Sequence, residues 1–304
     1  KMIMACGTGK TFTSLRIAEA ILENDPEVGN ERSGCVLFLA PSISLVGQTL
    51  REWVSNSRTE LNAVCVCSDT TVTKKRTEDD VGERVEDLGL PATTDPGKIA
   101  FRAMVSKDTT VVFSTYQSID AVIAAQQHGL PEFDLIICDE AHRTTGVIID
   151  KQDESSFTKV HDNSLVHGKR RLYMTATPRL YGEKGKADAR KAAVEICSMD
   201  DESKYGMEFY TLNFGRAVEK DLLSDYKVLI LTTTASDVPE ILRRHWADWK
   251  GEIDTDTNCK IWGCLNALAK NVAYDTTLKT TDPAPMRSAV SFCRSIRVSR
   301  ALCD

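Results

Sequence analysis

Short apolar runs recur along the chain, separated by longer stretches in which apolar residues return at helical spacing. Met2–Ala5, Val36–Ala40, Ala63–Cys67, Thr110–Ser114, Leu135–Cys138 and Arg171–Thr175 are mostly apolar or β-branched, the pattern of strands covered on both faces. Between them, Leu15, Ala18, Ile21 and Leu22 mark one face of a helix over Thr11–Asn24, and Leu45–Val54 and Tyr116–Gln127 read the same way. Strands alternating with helices predict an α/β fold, a parallel sheet with helices on both faces. Further along, Tyr226–Thr232 and Ser288–Cys293 read as strands, and Pro239–Lys250 and Asn258–Tyr274 as helices. A second unit is therefore expected to begin between Gly206 and Tyr226, dividing the chain into 1–205 and 206–304.

Two polar stretches interrupt this pattern. Arg76–Asp95 holds seven acidic and two basic residues, and Lys151–Gly168 follows with little apolar content; both read as surface insertions. His161 and His167, in the second stretch, read as exposed, and the five histidines show no metal-binding spacing. The 304 residues, 42% hydrophobic and 27% charged, describe an ordinary globular chain of about two domains and exclude disorder, collagen-like repeats and coiled coil. No apolar run approaches the roughly 18 residues of a membrane span, so no membrane association is expected. Ten cysteines without paired CxxC elements, several of them inside apolar runs, point to a reduced, cytoplasmic setting.

The formal net charge of −6 excludes a globally basic coat for nucleic acid but leaves room for a local one. Lys169–Lys191 carries eight basic residues against two acidic, and Arg287, Arg294, Arg297 and Arg300 form a second basic cluster. Such clusters are either phosphate-contacting surfaces or solvated helix faces. The four tryptophans fall in helical stretches as packing residues, and no aromatic–basic interleaving suggests base stacking.

Met4-Ala-Cys-Gly-Thr-Gly-Lys-Thr11 ends in GTGKT directly after an apolar strand and directly before a helix. That context gives the pattern a mechanism. Gly7 and Gly9 let the backbone curl so that amides, including that of Thr8, point at phosphate oxygens, with the helix N-terminus adding partial positive charge. Lys10 is placed for the β- and γ-phosphates of a nucleotide and the Thr11 hydroxyl for Mg²⁺. The general GxxxxGK[ST] pattern fails at one position, where Met4 replaces its first glycine.

Leu135-Ile-Ile-Cys-Asp-Glu-Ala-His142 sets two acids at the end of an apolar strand. Ligands of open parallel sheets bind at the carboxyl ends of the strands, so both acids should face the phosphate loop. Asp139 is suited to hold Mg²⁺, and Glu140 to orient and deprotonate an attacking water. Alone, the pair has a serious competing reading, an acidic turn capping the next helix.

With these motifs in place, the sequence resembles the superfamily 2 helicases and translocases in their DEAH-box form. GTGKT at 7–11, DEAH at 139–142 and Thr175-Ala-Thr177 are similar to their motifs I, II and III. Ala40-Pro-Ser-Ile-Ser-Leu-Val-Gly-Gln-Thr-Leu50 and Ser114-Thr-Tyr-Gln-Ser118 resemble strand-contacting motifs, and Ser288–Ile296 resembles motif IV. The stretch Asn213–Tyr226 is most similar to the helicase portions of bacterial restriction and phage-defence enzymes of the Type ISP kind.

The resemblance implies a RecA-like P-loop NTPase domain followed by a truncated second one, and an ATP-dependent DNA helicase or translocase using ATP and Mg²⁺. It casts Lys10, Asp139 and Glu140 as catalytic, Gly7–Thr11 as the triphosphate cradle, and Thr11 and Asp139 as metal ligands. His142, Thr175 and Thr177 would couple nucleotide to nucleic acid, and Pro41, Ser42 and Thr115 would line the DNA strand. A nuclease or methyltransferase, if the enzyme has one, would lie elsewhere in the full-length chain. A nucleotide-gated DNA-binding subunit without productive cycling shares every one of these motifs. The chain reads as a fragment cut at both ends, without the adenine-reading segment and the motif V and VI arginines. An arginine finger is worth roughly 10³–10⁵ in rate, so weak ATP binding and poor hydrolysis are expected of residues 1–304 by themselves.

Overall fold

The computed structural model describes residues 1–29, 32–68, 91–148, 156–182, 195–226, 232–241, 255–269, 287–293 and 299. Its strands are β1 (Met2–Met4), β2 (Cys35–Ala40), β3 (Leu61–Val66), β4 (Thr109–Thr115), β5 (Leu135–Cys138), β6 (Gly146–Ile148), β7 (Arg171–Thr175), β8 (Glu195–Cys197) and β9 (Tyr210–Leu212). Seven of them form one sheet in the order β3-β4-β2-β5-β7-β1-β9, with every pairing parallel. β6 and β8 form a separate antiparallel pair. The helices are α1 (Lys10–Glu23), α2 (Ile43–Asn56), α3 (Pro96–Val105), α4 (Ile119–Gln127), α5 (Glu202–Tyr205), α6 (Phe214–Glu219) and α7 (Thr255–Ala269).

Alternation along the strands supplies two apolar layers. Val36 and Phe38 of β2 join Leu15 and Leu22 of α1 and Leu50 and Trp53 of α2 in one cluster. Cys35, Leu37 and Leu39 point the other way, into a cluster with Ile99 of α3 and Ile119 and Val122 of α4. Both faces are thus covered, which is why the central strands read as unbroken apolar runs. The Trp53 ring meets Phe38 and Phe113 edge-on at 5.5 and 5.8 Å, and its Nε1 donates to the carbonyl of Thr11 at 3.2 Å. That bond ties α2 to the first turn of α1. Local signals set the helix starts: Ser42 accepts from the Leu45 amide at 3.3 Å, and Asp95, just before Pro96, from the Lys98 amide at 3.1 Å.

An ion-pair network closes the amino-terminal end of the sheet. Asp134, fully buried just before β5, accepts both guanidinium nitrogens of Arg32 at 2.6 and 2.8 Å and the Cys35 amide at 3.0 Å. Lys169 reaches the same carboxylate at 3.2 Å, and Asp25 pairs with both cations.

Several expectations need correction. The second half of the Lys151–Gly168 stretch is no surface insertion: Val160 and Val166 are fully buried in the α3–α4 layer, and His161 packs between two tyrosine rings. Sparse apolar residues concealed this: Val160 and Val166 anchor the segment, helped by Phe157 stacked on Tyr116 and by Leu165. Residues 287–293 hold no strand; Val290 and Phe292 are exposed, with no neighbouring strand among the described residues to cover them. Tyr116–Gln127 opens as a 3₁₀ turn, Tyr116–Ser118, before α4. The expected strand Tyr226–Thr232 and helix Pro239–Lys250 lie largely outside the described residues, as do residues 76–90 of the acidic stretch.

The chain divides between Asp225 and Tyr226 into two compact units. β9 pairs with β1 and Asn213 caps α6, so residues 206–225 belong to the first unit. In the second unit, α7 brings Gly263 so near Thr233 that a Cβ would lie 2.8 Å from its hydroxyl. All nine described cysteines are free thiols, and no described helix is long and apolar enough to cross a membrane.

Candidate active site

The loop from β1 to α1 is closed from within. Thr8 donates to the Ala5 carbonyl through its hydroxyl at 2.7 Å and its amide at 3.4 Å, and the Ala5 amide donates to Leu212 of β9 at 2.9 Å. Gly7 and Gly9 have φ of 79° and 85°, left-handed values that cost an L-residue about 1 kcal/mol or more. Gly9 caps α1 without a side chain, which leaves the first-turn amides open for an anion. A Cβ at Gly7 would also lie 3.3 Å from Cδ2 of Leu223. Met4, where the general pattern has glycine, is the last residue of β1 and belongs to the core, paired with Leu212. The turn begins after it and needs no glycine there.

Both acids stand where β5 ends. The Asp139 amide continues the sheet pairing to the Leu39 carbonyl at 2.9 Å, and Glu140 then takes a left-handed conformation (φ 47°, ψ 46°) that turns the chain into the 3₁₀ segment Ala141–Thr144. A left-handed residue without glycine stores roughly 1–3 kcal/mol of strain, a common feature of active sites. The result is a continuous chain of contacts. Lys10 Nζ lies 3.4 Å from the Met4 carbonyl and 4.0 Å from Glu140 Oε1. Glu140 Oε2 lies 3.3 Å from Nδ1 of His142, which is itself 3.0 Å from the Thr175 hydroxyl at the end of β7. Thr175 donates to the Thr177 carbonyl at 3.2 Å and accepts from the Thr177 amide at 3.2 Å. With its own hydrogen so directed, the Thr175 hydroxyl acts as acceptor toward His142, and Nδ1 carries the proton.

Asp139 is buried and its Oδ1 has no hydrogen-bond partner among the described residues. Burial first, and the Glu140 charge second, push its carboxyl up to about 6, with Lys10 opposing. An orphaned buried carboxylate oxygen beside a lysine and a second acid suits a divalent cation, which favours the ionised form. No three His, Cys, Asp or Glu side chains cluster for a metal among the described residues. A cation here would therefore take most of its ligands from phosphate and water, the habit of Mg²⁺. Thr11 is the second residue of α1, at the end of the loop that carries Lys10.

The strand ends β2 and β4 lie side by side, with Ala40 opposite Thr115, so Pro41, Ser42 and Thr115 are brought together. Pro41 and Thr115 are buried, the Thr115 hydroxyl donates to Ser118 at 3.2 Å, and Ser42 is half-buried at the cap of α2. Of the first basic cluster, Lys169 is bound into the Asp134 network and Arg171 donates to the carbonyls of Val160 and Val166. Lys184, Lys186, Arg190 and Lys191 lie outside the described residues, as do Arg294, Arg297 and Arg300. Three residues that shape the site are not among the candidate site residues singled out from the sequence. Trp53 holds Thr11, Leu223 abuts Gly7, and the fully buried Tyr116 donates its hydroxyl to the Asp139 carbonyl at 2.8 Å.

Residues 1–180, more than half of the chain, match the family described as the Type III restriction enzyme, res subunit. The chain belongs to this family. A probable helicase of African swine fever virus (isolate Tick/South Africa/Pretoriuskop Pr4/1996), A859L, is 33% identical over 178 residues, covering 58% of this chain and 16% of the relative. Among solved structures, the ATP-dependent Type ISP restriction-modification enzyme LlaBIII bound to DNA is 40% identical with a TM-score of 0.77. That match covers 98% of this chain and 19% of the other. A nuclease-deletion mutant of the Type ISP enzyme LlaGI, in complex with a DNA substrate mimic, gives 35% identity and a TM-score of 0.57 over 92% of this chain and 22% of the other. The chain thus spans about a fifth of these restriction enzymes. The seven-stranded parallel sheet is the RecA-like helicase fold, and the chain is a helicase-type domain of the restriction-enzyme kind.

Proposed function

We propose that this chain carries the ATP-hydrolysing centre of a cytoplasmic DEAH-box DNA translocase or helicase belonging to a restriction or phage-defence enzyme. The observation that carries the reading is the chain of contacts from Lys10 through Glu140 and His142 to Thr175, beside the orphaned Oδ1 of Asp139. Lys10 is the cation for the β- and γ-phosphates cradled by Gly7–Thr11. Glu140 orients the attacking water and accepts its proton, and Asp139 and Thr11 hold Mg²⁺. Bound there, Mg²⁺ neutralises charge developing on the β- and γ-phosphates. His142 contacts Glu140 and Thr175 at once, and with Thr177 it is the route by which nucleotide state reaches the DNA surface.

We assign that surface to the adjoining ends of β2 and β4. Ser42, the only one of the three candidates not buried, uses its lone pair to cap α2 and keeps its O–H to donate to a phosphate. Contacts of this kind are independent of base sequence and weaken with salt. A nuclease, such as the one deleted in the LlaGI mutant, and a methyltransferase are assigned to other parts of the complete protein.

The test is DNA-stimulated ATP turnover by the protein its complete reading frame encodes, with Lys10→Ala and Glu140→Gln beside the wild type. Both substitutions should abolish turnover, and Glu140→Gln should keep ATP binding. Turnover retained in both refutes the assignment. A wild type that binds ATP and DNA but never turns over favours the nucleotide-gated binding subunit instead.

A further inference from the structure

A second connection between the DEAH turn and β7 lies beneath the one at the candidate site. His161, on the 3₁₀ turn Lys159–His161, stacks on Tyr173 with centroids 5.4 Å apart and meets Tyr205 edge-on at 4.8 Å. Its Nε2 lies 3.2 Å from the Thr144 carbonyl and its Nδ1 2.9 Å from the Tyr173 hydroxyl. Proton positions follow from the partners. A carbonyl only accepts, so Nε2 carries the hydrogen; Nδ1 then accepts, and Tyr173 donates. Burial holds the imidazole down to about 4, which keeps the neutral form this arrangement requires. The Thr144 hydroxyl donates to the Ala141 carbonyl at 2.8 Å, so the Tyr205 hydroxyl, 3.1 Å away, donates to Thr144. Thr145 closes the same turn by donating to the His142 carbonyl at 2.7 Å.

Thr144 stands two residues after His142, and Tyr173 two residues before Thr175. His161 therefore bridges the same two elements whose side chains meet at 3.0 Å in the candidate site. We infer that His161 is a positioning residue for ATP hydrolysis, holding the Ala141–Thr145 turn against β7 so that His142, Glu140 and Thr175 stay in register. It touches neither nucleotide nor metal in this scheme and acts through Thr144 and Tyr173. The inference rests on the proposed ATPase reading and adds to it a residue outside all of the helicase-like motifs. A misplacement of about 1 Å at reacting groups is worth up to about 100-fold in rate, so a lost bridge should appear in turnover rather than in binding.

The experiment measures DNA-stimulated ATP turnover and melting temperature for His161→Phe, His161→Gln and Tyr173→Phe in the protein of the complete reading frame. Phenylalanine keeps the stacking and removes both hydrogen bonds; glutamine restores a donor and an acceptor. The expected result is a fall in kcat of about tenfold or more for His161→Phe with the KM for ATP within about threefold, and recovery of most of that loss in His161→Gln. Tyr173→Phe, which loses one hydroxyl, should show a smaller fall and gives the readout if His161→Phe does not fold. Turnover within about twofold of wild type in a folded His161→Phe, or in Tyr173→Phe where that protein does not fold, overturns the inference alone. So does a joint loss of kcat, KM and melting temperature that glutamine fails to rescue. A wild type without turnover overturns the ATPase reading, and this inference with it.

Discussion

Replacing Asp134 by alanine should unsettle the fold without touching the candidate site. Asp134 lies at the amino-terminal end of β5, and the site stands at the carboxyl-terminal end of the same strand. Burial pushes its carboxyl up, but the hydrogen bonds from Arg32, the Cys35 amide and Lys169 outweigh this and hold it below the ordinary value of 3.8. Alanine leaves the buried Cys35 amide without its acceptor, which costs about 1–3 kcal/mol. Arg32 is 29% exposed and can turn toward water, so the lost charge-assisted fork adds only about 1 kcal/mol. The sum is about 2–4 kcal/mol. Asparagine keeps an acceptor for Cys35 and should lose about half as much. Urea denaturation followed by tryptophan fluorescence measures both. Because the folded carboxyl titrates below its unfolded value, the contribution of its charge is full above 3.8 and disappears as pH falls further. A protonated carboxyl still accepts from Cys35, so in strongly acidic buffer wild type should converge on Asp134→Asn and stay above Asp134→Ala. A difference of less than about 0.5 kcal/mol at neutral pH, the range of ordinary surface substitutions, would refute the reasoning.

Three further outcomes follow from the geometry. The imidazole of His161 is held at about 4 against a model-peptide value of 6.5, so the unfolded chain binds the extra proton; stability should fall as pH drops from 6.5 toward 4, by up to about 3 kcal/mol, and His161→Phe should flatten that slope in urea titrations. Gly9→Ala meets no neighbour within 4 Å but must hold φ 85°, so denaturation should show a loss of about 1–2 kcal/mol, with no loss at all counting against the left-handed loop. Trp53→Phe removes the bond to Thr11 and part of a filled core position; a loss of about 2–3 kcal/mol is expected by calorimetry, and an unchanged melting temperature would contradict the packing of α2 on α1.

The strands were legible because parallel strands covered on both faces must be apolar at every position. Five of the six early runs appear with ends shifted by one residue at most, and Ala63–Cys67 appears as Leu61–Val66. The candidate phosphate loop and the acid pair were legible because each needs particular residues at fixed spacing beside a strand end. β9 left no signal: it is three residues long, its pairing partner lies about two hundred residues away in sequence, and Tyr210 is exposed at the sheet edge. α3 was hidden by Pro96 and Gly97, which look like a break until Pro96 is seen as the first helical residue. From sequence alone His161 reads as exposed, because histidine in a polar stretch usually is. Only the tyrosines brought to it from β7 and α5 make it an interior residue.

This separation has a physical origin in the parallel sheet. Every strand of the seven-stranded sheet points the same way, so every strand-to-helix loop that carries a candidate site residue, at Gly7–Lys10, Pro41–Ser42, Thr115 and Asp139–His142, opens at one end. The opposite end receives only helix-to-strand connections and is free to be closed by charge, as Arg32, Asp134 and Lys169 close it. His161 belongs to neither end. It sits at the level of Tyr173, one turn of pleat below Thr175, where a change in the fold is still felt by the chemistry. A substitution at Asp134 should therefore move stability without moving kcat in the folded protein, and one at His161 should move kcat beyond what its effect on stability explains. Each acts as the control for the other, and equal effects on both quantities from both residues would mean that the sheet does not divide its labour in this way.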